Sequence, residues 1–219
     1  MIGLRRGHNF KAIGARGYVK EEEIAEKIKN DVISIFEKHN YKYVDCSPDD
    51  MTSAQDLKFG VSKCNANKCD LFFSIHLNAN KTTDAPMGVE VWTYKEKFKQ
   101  ANDVLSNLVN LGFKNRGIKH STKLYELKHT NCKAMIIEVC FCDSHADTEL
   151  LKSVGTYKIA KAIAYGVMGI EEDVIKPIEQ VGAKYRLCVG SYSQYQNAVN
   201  AKKELEKIGI DCFIIKKEE

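Results

Sequence analysis

The chain is poor in proline and glycine and lacks long apolar runs. Its 219 residues include only 3 prolines and 14 glycines, while 44% are hydrophobic and 28% are charged. Disordered, collagen-like and low-complexity chains have compositions far from these values, so those classes are excluded. No apolar run approaches the roughly 20 residues that a transmembrane helix needs. The composition therefore predicts a chain that folds around a core, with no membrane partner.

The first residues, from Met1 to His8, also lack the apolar segment of a signal peptide. We therefore expect synthesis in the cytoplasm without an export signal of the chain's own. The net charge is mildly basic, at +4, but arginine-rich stripes with interleaved aromatic residues are missing. A nucleic-acid partner is therefore not expected.

Eight cysteines are present, yet the chain has no Cys-x-x-Cys motif. Four residues separate Cys64 from Cys69, a spacing that does not match a zinc ribbon. Other cysteines, such as Cys140, Cys188 and Cys212, lie inside apolar runs. We interpret the cysteines as reduced, buried thiols, and expect neither a disulfide scaffold nor a cysteine-based metal site.

Strand-like and helix-like patterns alternate along residues 1–170. Strands are predicted over 1–4, 41–46, 70–76, 88–94 and 134–141, and helices over 20–39, 54–67, 98–111 and 156–170. This alternation is typical of an α/β domain in which helices flank a mixed, mostly parallel sheet on both faces. We expect that domain to end near residue 170.

The remaining residues divide into a linker and a small unit. Residues 171–183 are charged and show no clear period, so they are predicted to be a linker. Residues 184–219 then show a strand pattern over 185–190, a helix pattern over 194–208 and a second strand pattern over 211–215. A βαβ unit of this size, about 30 residues, is too small to bury a core of its own.

Four polar residues near strand ends and a helix start are candidates for a catalytic site. His8 follows the first strand, Glu21 begins the first helix, and His76 ends an almost continuous apolar strand. Glu138 lies inside the apolar segment 135–139, where a carboxylate is costly unless it is paired, hydrogen-bonded or near a metal.

These positions favour a ligand-binding site, because the ligands of α/β proteins bind at the carboxyl ends of the strands. Two histidines and one glutamate form one of the protein ligand sets of catalytic Zn²⁺, and a further glutamate can act as the base. From the residues alone, a zinc hydrolase and purely structural roles for these side chains both remain open.

Several ordered pieces of residues 1–170 carry a family resemblance. They are Gly7-His8 and the segments 14–21, 70–80, 88–91, 115–119, 137–141 and 159–167. On these pieces the chain resembles the zinc-dependent N-acetylmuramoyl-L-alanine amidases of the amidase type 3 family. The resemblance implies that His8, Glu21 and His76 are zinc ligands, that Glu138 is the catalytic carboxylate, and that Asn78 and Arg116 bind substrate.

The same resemblance implies one Zn²⁺ per catalytic domain and peptidoglycan as the substrate. It implies hydrolysis of the amide between N-acetylmuramic acid and L-alanine. Wall chemistry without a signal peptide fits a phage endolysin that is stored in the host cytoplasm and acts on the wall after release, or an autolysin that is freed at mother-cell lysis, and we favour the endolysin. Two positions depart from the family pattern. Asn9 follows His8 where many members have glycine, and a small residue near Gly60 replaces an arginine. These departures leave the metal ligands intact and concern contacts with the stem peptide.

The C-terminal unit resembles part of a second family. Residues 185–192, together with the following helix and residues 212–215, resemble one repeat of a sporulation-related (SPOR) domain, which binds peptidoglycan glycan. That fold contains two βαβ repeats, so we expect two chains to pair their half-domains into a homodimer. The alternative is a tail helix that packs on the catalytic domain.

Three other functions use the same sequence features differently. A zinc peptidase that cuts within the stem peptide would share the metal site, and a non-catalytic wall-binding protein would share the fold. A thiol enzyme would use Cys140, which lies in an apolar stretch where nothing lowers its pKa.

Overall fold

The structure of the protein is a computed structural model that describes residues 1–170, 192–207 and 214. The chain divides into two compact units, Met1–Val174 and Ile175–Glu219, and each is described here by itself. The strands of the first unit are β1 (Ile2–Arg6), β2 (Tyr43–Asp45), β3 (Leu71–Asn78), β4 (Val89–Thr93), β5 (Asn115–His120) and β6 (Lys133–Phe141). Its helices are α1 (Glu21–Lys38), α2 (Ser53–Ala66), α3 (Lys99–Asn110), α4 (Tyr125–His129), α5 (His145–Val154) and α6 (Thr156–Met168).

The six strands form one sheet in the order β2-β1-β3-β6-β4-β5. Strand β4 runs antiparallel to β6, and every other neighbouring pair in this sheet is parallel. The predicted α/β class with a mixed, mostly parallel sheet is therefore confirmed. Strands β1 and β3 lie side by side with their carboxyl ends together, which brings the residues that follow them to one edge.

One face of the sheet carries the larger part of the core. Side chains alternate between the faces along a strand, so Leu71, Phe73 and Ile75 of β3 all point into this core. Helices α1, α3 and α6 cover it, and α3 and α6 approach closely at Gly166, where a Cβ atom would lie 2.7 Å from the backbone nitrogen of Val104. A glycine is needed at that position to let the two helices pack.

The opposite face has a smaller apolar cluster and carries the polar side chains of interest. Phe72 of β3 and Ile136 of β6 pack there with Leu127 of α4. By the same alternation, His76 and Glu138 lie on this face, and they are direct neighbours across β3 and β6. Strand β6 is strongly apolar in the sequence, yet the carboxylate of Glu138 points away from the main core.

Each of the strands and helices predicted within residues 1–170 is present to within a few residues of its predicted bounds. Three further elements were not predicted, namely β5, α4 and α5. Strand β5 is a polar edge strand and α4 has only five residues, so neither has a readable hydrophobic period. Helix α5 did carry a signal, because the side chain of Ser144 caps it by accepting a hydrogen bond from the backbone nitrogen of Asp147.

Of the second unit, the structure describes helix α7 (Tyr195–Lys207), which matches the helix predicted over 194–208. The predicted linker at 171–183 and the strand at 185–190 lie outside the described residues. Of the second predicted strand, only Ile214 is described, and it is exposed.

Among the described residues, no helix combines the length and the apolar character that crossing a membrane requires.

Candidate metal and catalytic site

Three of the residues singled out in the sequence come together at the carboxyl ends of β1 and β3. His8 follows β1 in the left-handed conformation, with φ of 59°, Glu21 is the first residue of α1, and His76 lies near the end of β3. The Nδ1 atom of His76 lies 2.9 Å from Oε1 of Glu21, and Nε2 of His8 lies 3.5 Å from Oε2 of the same carboxylate. One ligand atom from each residue falls within 4.8 Å of the others.

The backbone around the cluster fixes the carboxylate of Glu21. The backbone nitrogen of Ala15 donates to Oε2 at 2.7 Å, and the backbone nitrogen of Leu77 donates to Oε1 at 3.1 Å. Glu21 is also buried, with 2% of its surface exposed. A buried carboxylate that is held by two backbone donors and faces two histidines is prepared to bind a cation.

Two glycines leave the room that these side chains occupy. A Cβ atom on Gly7 would lie 2.3 Å from the imidazole of His76, and a Cβ atom on Gly14 would lie 2.3 Å from Oε2 of Glu21. Contacts this short do not occur between real atoms, so any larger residue would displace the histidine or the glutamate. The site therefore depends on Gly7 and Gly14 as well as on the three polar residues.

The electrostatics of the cluster reflect burial and mutual pairing. Burial would lower the pKa of His76, but the hydrogen bond to Glu21 and the nearby carboxylates raise it to about 9. Burial would raise the pKa of Glu21, but the contacts with His76 and His8 hold it below its usual value. Burial lowers the pKa of His8. The negative charge of Glu21 and the protonated form of His76 therefore favour each other.

Glu138 lies beside this cluster on β6. It pairs across the sheet with His76 on β3 and with Glu90 on β4, so the three side chains form one row. Burial raises the pKa of Glu138 to about 7, with His76 acting in the opposite direction and Glu21 and Glu90 adding to the rise. Its Oε2 atom is buried without a hydrogen-bond partner in the described structure. This carboxylate can therefore gain or lose a proton near neutral pH.

Asn78 and Arg116, expected to bind substrate, both contact Glu90. The Nδ2 atom of Asn78 donates to Oε1 at 3.0 Å, and Nε of Arg116 donates to Oε2 at 2.7 Å. Trp92 and Lys119 also donate to this carboxylate. Asn78 and Arg116 thus hold Glu90, the negatively charged neighbour of Glu138, in place. No sequence pattern indicated this link.

Comparisons with known proteins cover the part of the chain that contains this site. The sequence profile of the N-acetylmuramoyl-L-alanine amidase family matches residues 2–168. The chain belongs to the N-acetylmuramoyl-L-alanine amidase family. Every site residue described above lies within the span that matches this amidase profile.

Individual curated relatives also match more than two thirds of this chain. The chain is 36% identical to an uncharacterised 38.4 kDa protein of Clostridium perfringens, over 82% of this chain and 54% of that one. It is 31% identical to an endolysin of Bacillus phage SPP1, over 69% of this chain and 58% of that one. The chain thus spans about half the length of the curated relatives it matches.

Among solved structures, the fold resembles the catalytic domain of an endolysin that targets Clostridium difficile. The TM-score is 0.68 at 28% identity, and the match covers 77% of this chain and 96% of that domain. The amidase fold of the first unit is therefore supported by both sequence and structure.

A cleft of about 390 Å³ adjoins the site of this amidase family member on the side of His76 and Glu138. Its walls are mostly apolar and include Trp92, Leu124 and Tyr125. Glu126 also lines the cleft, and sequence reasoning missed it because the five-residue helix that carries it has no pattern of its own.

Arg5 was missed as well. It is 1% exposed and occupies the space beside Gly60, where a Cβ atom would lie 3.0 Å from its Cδ atom. Gly60 therefore makes room for an arginine from β1.

Proposed function

We propose that the chain hydrolyses the amide bond between N-acetylmuramic acid and L-alanine in peptidoglycan. The observation that carries this proposal is the joint placement of His8, Glu21 and His76 within reach of one cation, with Glu138 beside them. Membership of the amidase family supports the choice of substrate, because the matched span contains the whole site.

We further propose that the cation is one Zn²⁺ per chain, held by His8, Glu21 and His76. A His₂Glu donor set is typical of catalytic zinc and leaves a position for water or substrate. The fit to this chain rests on three features, namely the convergence of the ligand atoms, the backbone donors that fix Glu21, and the two glycines that leave space for the ligands.

In the proposed mechanism, bound Zn²⁺ supplies a Lewis acid and lowers the pKa of water towards about 7. Glu138 accepts the proton of the attacking water as the oxygen approaches the lactyl carbonyl of muramic acid. The same carboxyl group then delivers the proton to the departing nitrogen of L-alanine. Its raised pKa suits both steps, because a general base works best with a pKa near the operating pH.

We propose that Asn78 and Arg116 take part through substrate contacts and through Glu90. Asn78 lines the cleft next to His76. Arg116 holds Glu90, and Glu90 lies across the sheet from Glu138, so the pair also keeps the environment of the base constant. Substitution of Arg116 would then affect the reaction rate as well as substrate affinity.

The proposal is tested by digesting purified peptidoglycan with the zinc-loaded protein and identifying the new ends. Amidase activity releases stem peptides with a free L-alanine amino terminus and leaves intact lactyl groups on the glycan. Cleavage at another amide would favour the zinc peptidase, and binding without cleavage would favour a non-catalytic wall protein. Activity that survives chelation of zinc would contradict the metal mechanism.

We propose a lytic role of the endolysin type, in which the protein acts on the wall after release from the cytoplasm. Similarity to two endolysins supports this role. Purified protein added to permeabilised bacteria should lower their turbidity, whereas the Glu138→Gln variant should not. Absence of lysis by the wild type would contradict the lytic role, and equal lysis by both proteins would contradict the role of Glu138.

We also propose that residues 184–219 form half of a glycan-binding module that is completed by a second chain. The support is the sequence pattern at 185–192 and 212–215, together with helix α7. Light scattering should give the mass of a dimer for the full chain and that of a monomer for residues 1–170. A monomeric full chain would contradict the pairing.

A further inference from the structure

A buried ionic cluster lies beneath the candidate metal site. Nη2 of Arg5 lies 2.7 Å from Oδ1 of Asp56, and Nη1 lies 2.9 Å from Oε1 of Glu126. The side chains of all three residues are at most 4% exposed. One cation thus faces two carboxylates, and burial of such groups is costly unless their geometry is good. Glu126 of this cluster adjoins His76, which belongs to the row formed by His76, Glu138 and Glu90.

The second oxygen of Glu126 is directed towards the metal site. It accepts a hydrogen bond of 2.8 Å from the hydroxyl of Ser74, and it lies 3.9 Å from Nε2 of His76. That nitrogen is buried and has no hydrogen-bond partner in the described structure. The other ring nitrogen of His76, Nδ1, faces Glu21 within the ligand cluster. The imidazole therefore presents one nitrogen to the metal ligands and the other to Glu126.

We propose that Glu126 is a positioning residue for His76, which accepts a hydrogen bond from its Nε2–H group when Nδ1 binds the metal. Histidine ligands commonly donate their second N–H group to a carboxylate, which fixes the tautomer and the plane of the ring. This inference rests on the proposed zinc site, and it adds a residue that acts through His76 without touching the substrate or the metal.

The surroundings of Glu126 are arranged to hold its carboxylate still. Arg5 binds one oxygen and Ser74 binds the other, so the plane of the group is set by two elements of the sheet. Helix α4 contributes only five residues, so it cannot define the orientation by its own packing. Gly60 in turn leaves the space in which Arg5 lies. Arg5, Ser74 and Glu126 thus form one support for the ring of His76.

The test compares two variants of the full chain that each remove one negative charge from the same cluster. In Glu126→Gln the positioning carboxylate is lost, whereas Asp56→Asn leaves Glu126 and its contact with Arg5 in place. Zinc affinity, measured by competition with a chromogenic chelator, should fall about 10- to 100-fold in Glu126→Gln. The affinity of Asp56→Asn should stay close to that of the wild type. Melting curves of the metal-free variants confirm that both are folded.

A second readout reports the hydrogen bond itself. In the zinc-loaded wild type, the Nε2–H proton of His76 should be visible by NMR and protected from exchange with solvent, and this protection should be lost in Glu126→Gln. Equal zinc affinities of both variants and the wild type would overturn the inference, as would equal weakening by both substitutions. A wild type that does not bind one zinc per chain would instead contradict the proposed function.

A separate observation concerns two cysteines away from the metal site. Cys64 of α2 and Cys132, just before β6, lie with their sulfur atoms 3.9 Å apart. Cys64 is buried, whereas Cys132 is partly exposed. A disulfide bond is about 2.05 Å long, so joining the two atoms requires an approach of about 2 Å.

We infer that Cys64 and Cys132 form a reversible disulfide when the protein meets a low-molecular-weight disulfide. The partly exposed thiolate of Cys132 attacks one sulfur of that oxidant, and the first external thiolate leaves. The thiol of Cys64 then displaces the second external thiolate from Cys132, and its proton passes to that departing thiolate. The protein loses two electrons as a disulfide, and the oxidant gains them as two thiols. The sulfur–sulfur contact with Cys64 lowers the pKa of Cys132, which agrees with Cys132 as the attacking residue.

Oxidised glutathione is the probe for this site. The full chain is incubated with it, digested without reduction and analysed by mass spectrometry. A cross-linked peptide pair that contains Cys64 and Cys132, reversed by dithiothreitol, is the expected result. In Cys64→Ser, Cys132 should instead retain glutathione. Persistent glutathione on Cys132 of the wild type would overturn the inference, and so would a dominant cross-link that involves Cys69.

Discussion

Gly14 illustrates at the residue scale how a small residue can determine metal binding. Its missing Cβ atom leaves the space that Oε2 of Glu21 occupies, at a distance of 2.3 Å from where that atom would be. The position is not explained by a left-handed backbone, since Gly14 is not among the residues with positive φ. Gly14 therefore makes room for the carboxylate of Glu21, and this role can be tested separately from backbone strain.

We predict that Gly14→Ala lowers zinc affinity by at least about tenfold, because ligand side chains must be held to within about 0.5 Å. Chelator competition measures the affinity. The control is Gly117→Ala, which meets no atom within 4 Å but has φ of 85°. It should lose stability without losing zinc affinity. Unchanged affinity in Gly14→Ala would show that the loop can move aside.

Glu138 provides a second residue-scale prediction, because burial raises its pKa from the usual 4.5 to about 7. The folded chain then holds this proton more tightly than the unfolded chain does. The resulting stabilisation is complete below pH about 4.5 and is lost as the pH rises through about 7. Glutamine carries no titrating proton, so Glu138→Gln lacks this dependence.

For the metal-free protein in a chelator, we therefore predict that the wild type loses stability relative to Glu138→Gln as the pH rises from about 4.5 to about 7. A pKa shift of one unit corresponds to about 1.4 kcal/mol, so the difference should change by about 3 kcal/mol. Urea unfolding at several pH values measures it. The exposed substitution Glu149→Gln should show no such trend, and a parallel pH profile for Glu138→Gln and the wild type would contradict the buried state of Glu138.

The candidate site could be predicted only in part at this scale. His8, His76 and Glu138 stand out because a polar group at the end or middle of an apolar strand requires a reason, and Glu21 stands out through the family resemblance. Glu126 and Arg5 give no such signal, because their ion pair joins positions 121 residues apart. Contacts of that kind depend on the folded arrangement of β1 and α4, which no local pattern encodes.

At the scale of elements, the spacing of hydrophobic residues was sufficient to locate the long strands and helices. It located β3, β6, α1 and α6, since each buries an apolar face. It could not reveal that β6 is antiparallel to β4, nor that Glu138 shares a row with His76 and Glu90. Pairing and register depend on which strands meet, and that is decided by the packing of the whole sheet.

Helix α5, which the period did not locate, joins two strands through Asp147. The carboxylate of Asp147 accepts hydrogen bonds from the backbone nitrogens of Met87 at 3.0 Å, Gly88 at 2.8 Å and Phe141 at 2.9 Å. Asp147 is itself 2% exposed. It therefore connects the start of β4 to the end of β6, close to Glu138.

We predict that Asp147→Ala lowers the free energy of unfolding by about 2 to 4 kcal/mol, because three buried N–H groups lose a charged acceptor. Denaturant unfolding measures the change. Glu149→Ala, two residues along the same helix and exposed, should stay within about 0.5 kcal/mol of the wild type. A similarly small effect of Asp147→Ala would mean that water replaces the carboxylate.

At the scale of the whole molecule, the first unit contains every residue of the proposed site. The family profile ends at residue 168 and the compact unit at Val174. We predict that residues 1–170 alone keep the zinc affinity and the rate on a soluble muramyl peptide, because a domain with its own core can fold by itself. Sedimentation with insoluble peptidoglycan should be weaker than for the full chain. Equal sedimentation would remove the wall-binding role of residues 184–219.

We propose that His8, Glu21 and His76 hold the zinc while Glu138 moves the proton, and Glu138→Gln separates these two tasks. Zinc content and the rate of release of L-alanine amino termini are measured on the same preparation. We predict one zinc per chain and a rate at least about 100-fold below that of the wild type, in line with the contribution of a general base. A fully active, zinc-loaded Glu138→Gln protein would contradict the account.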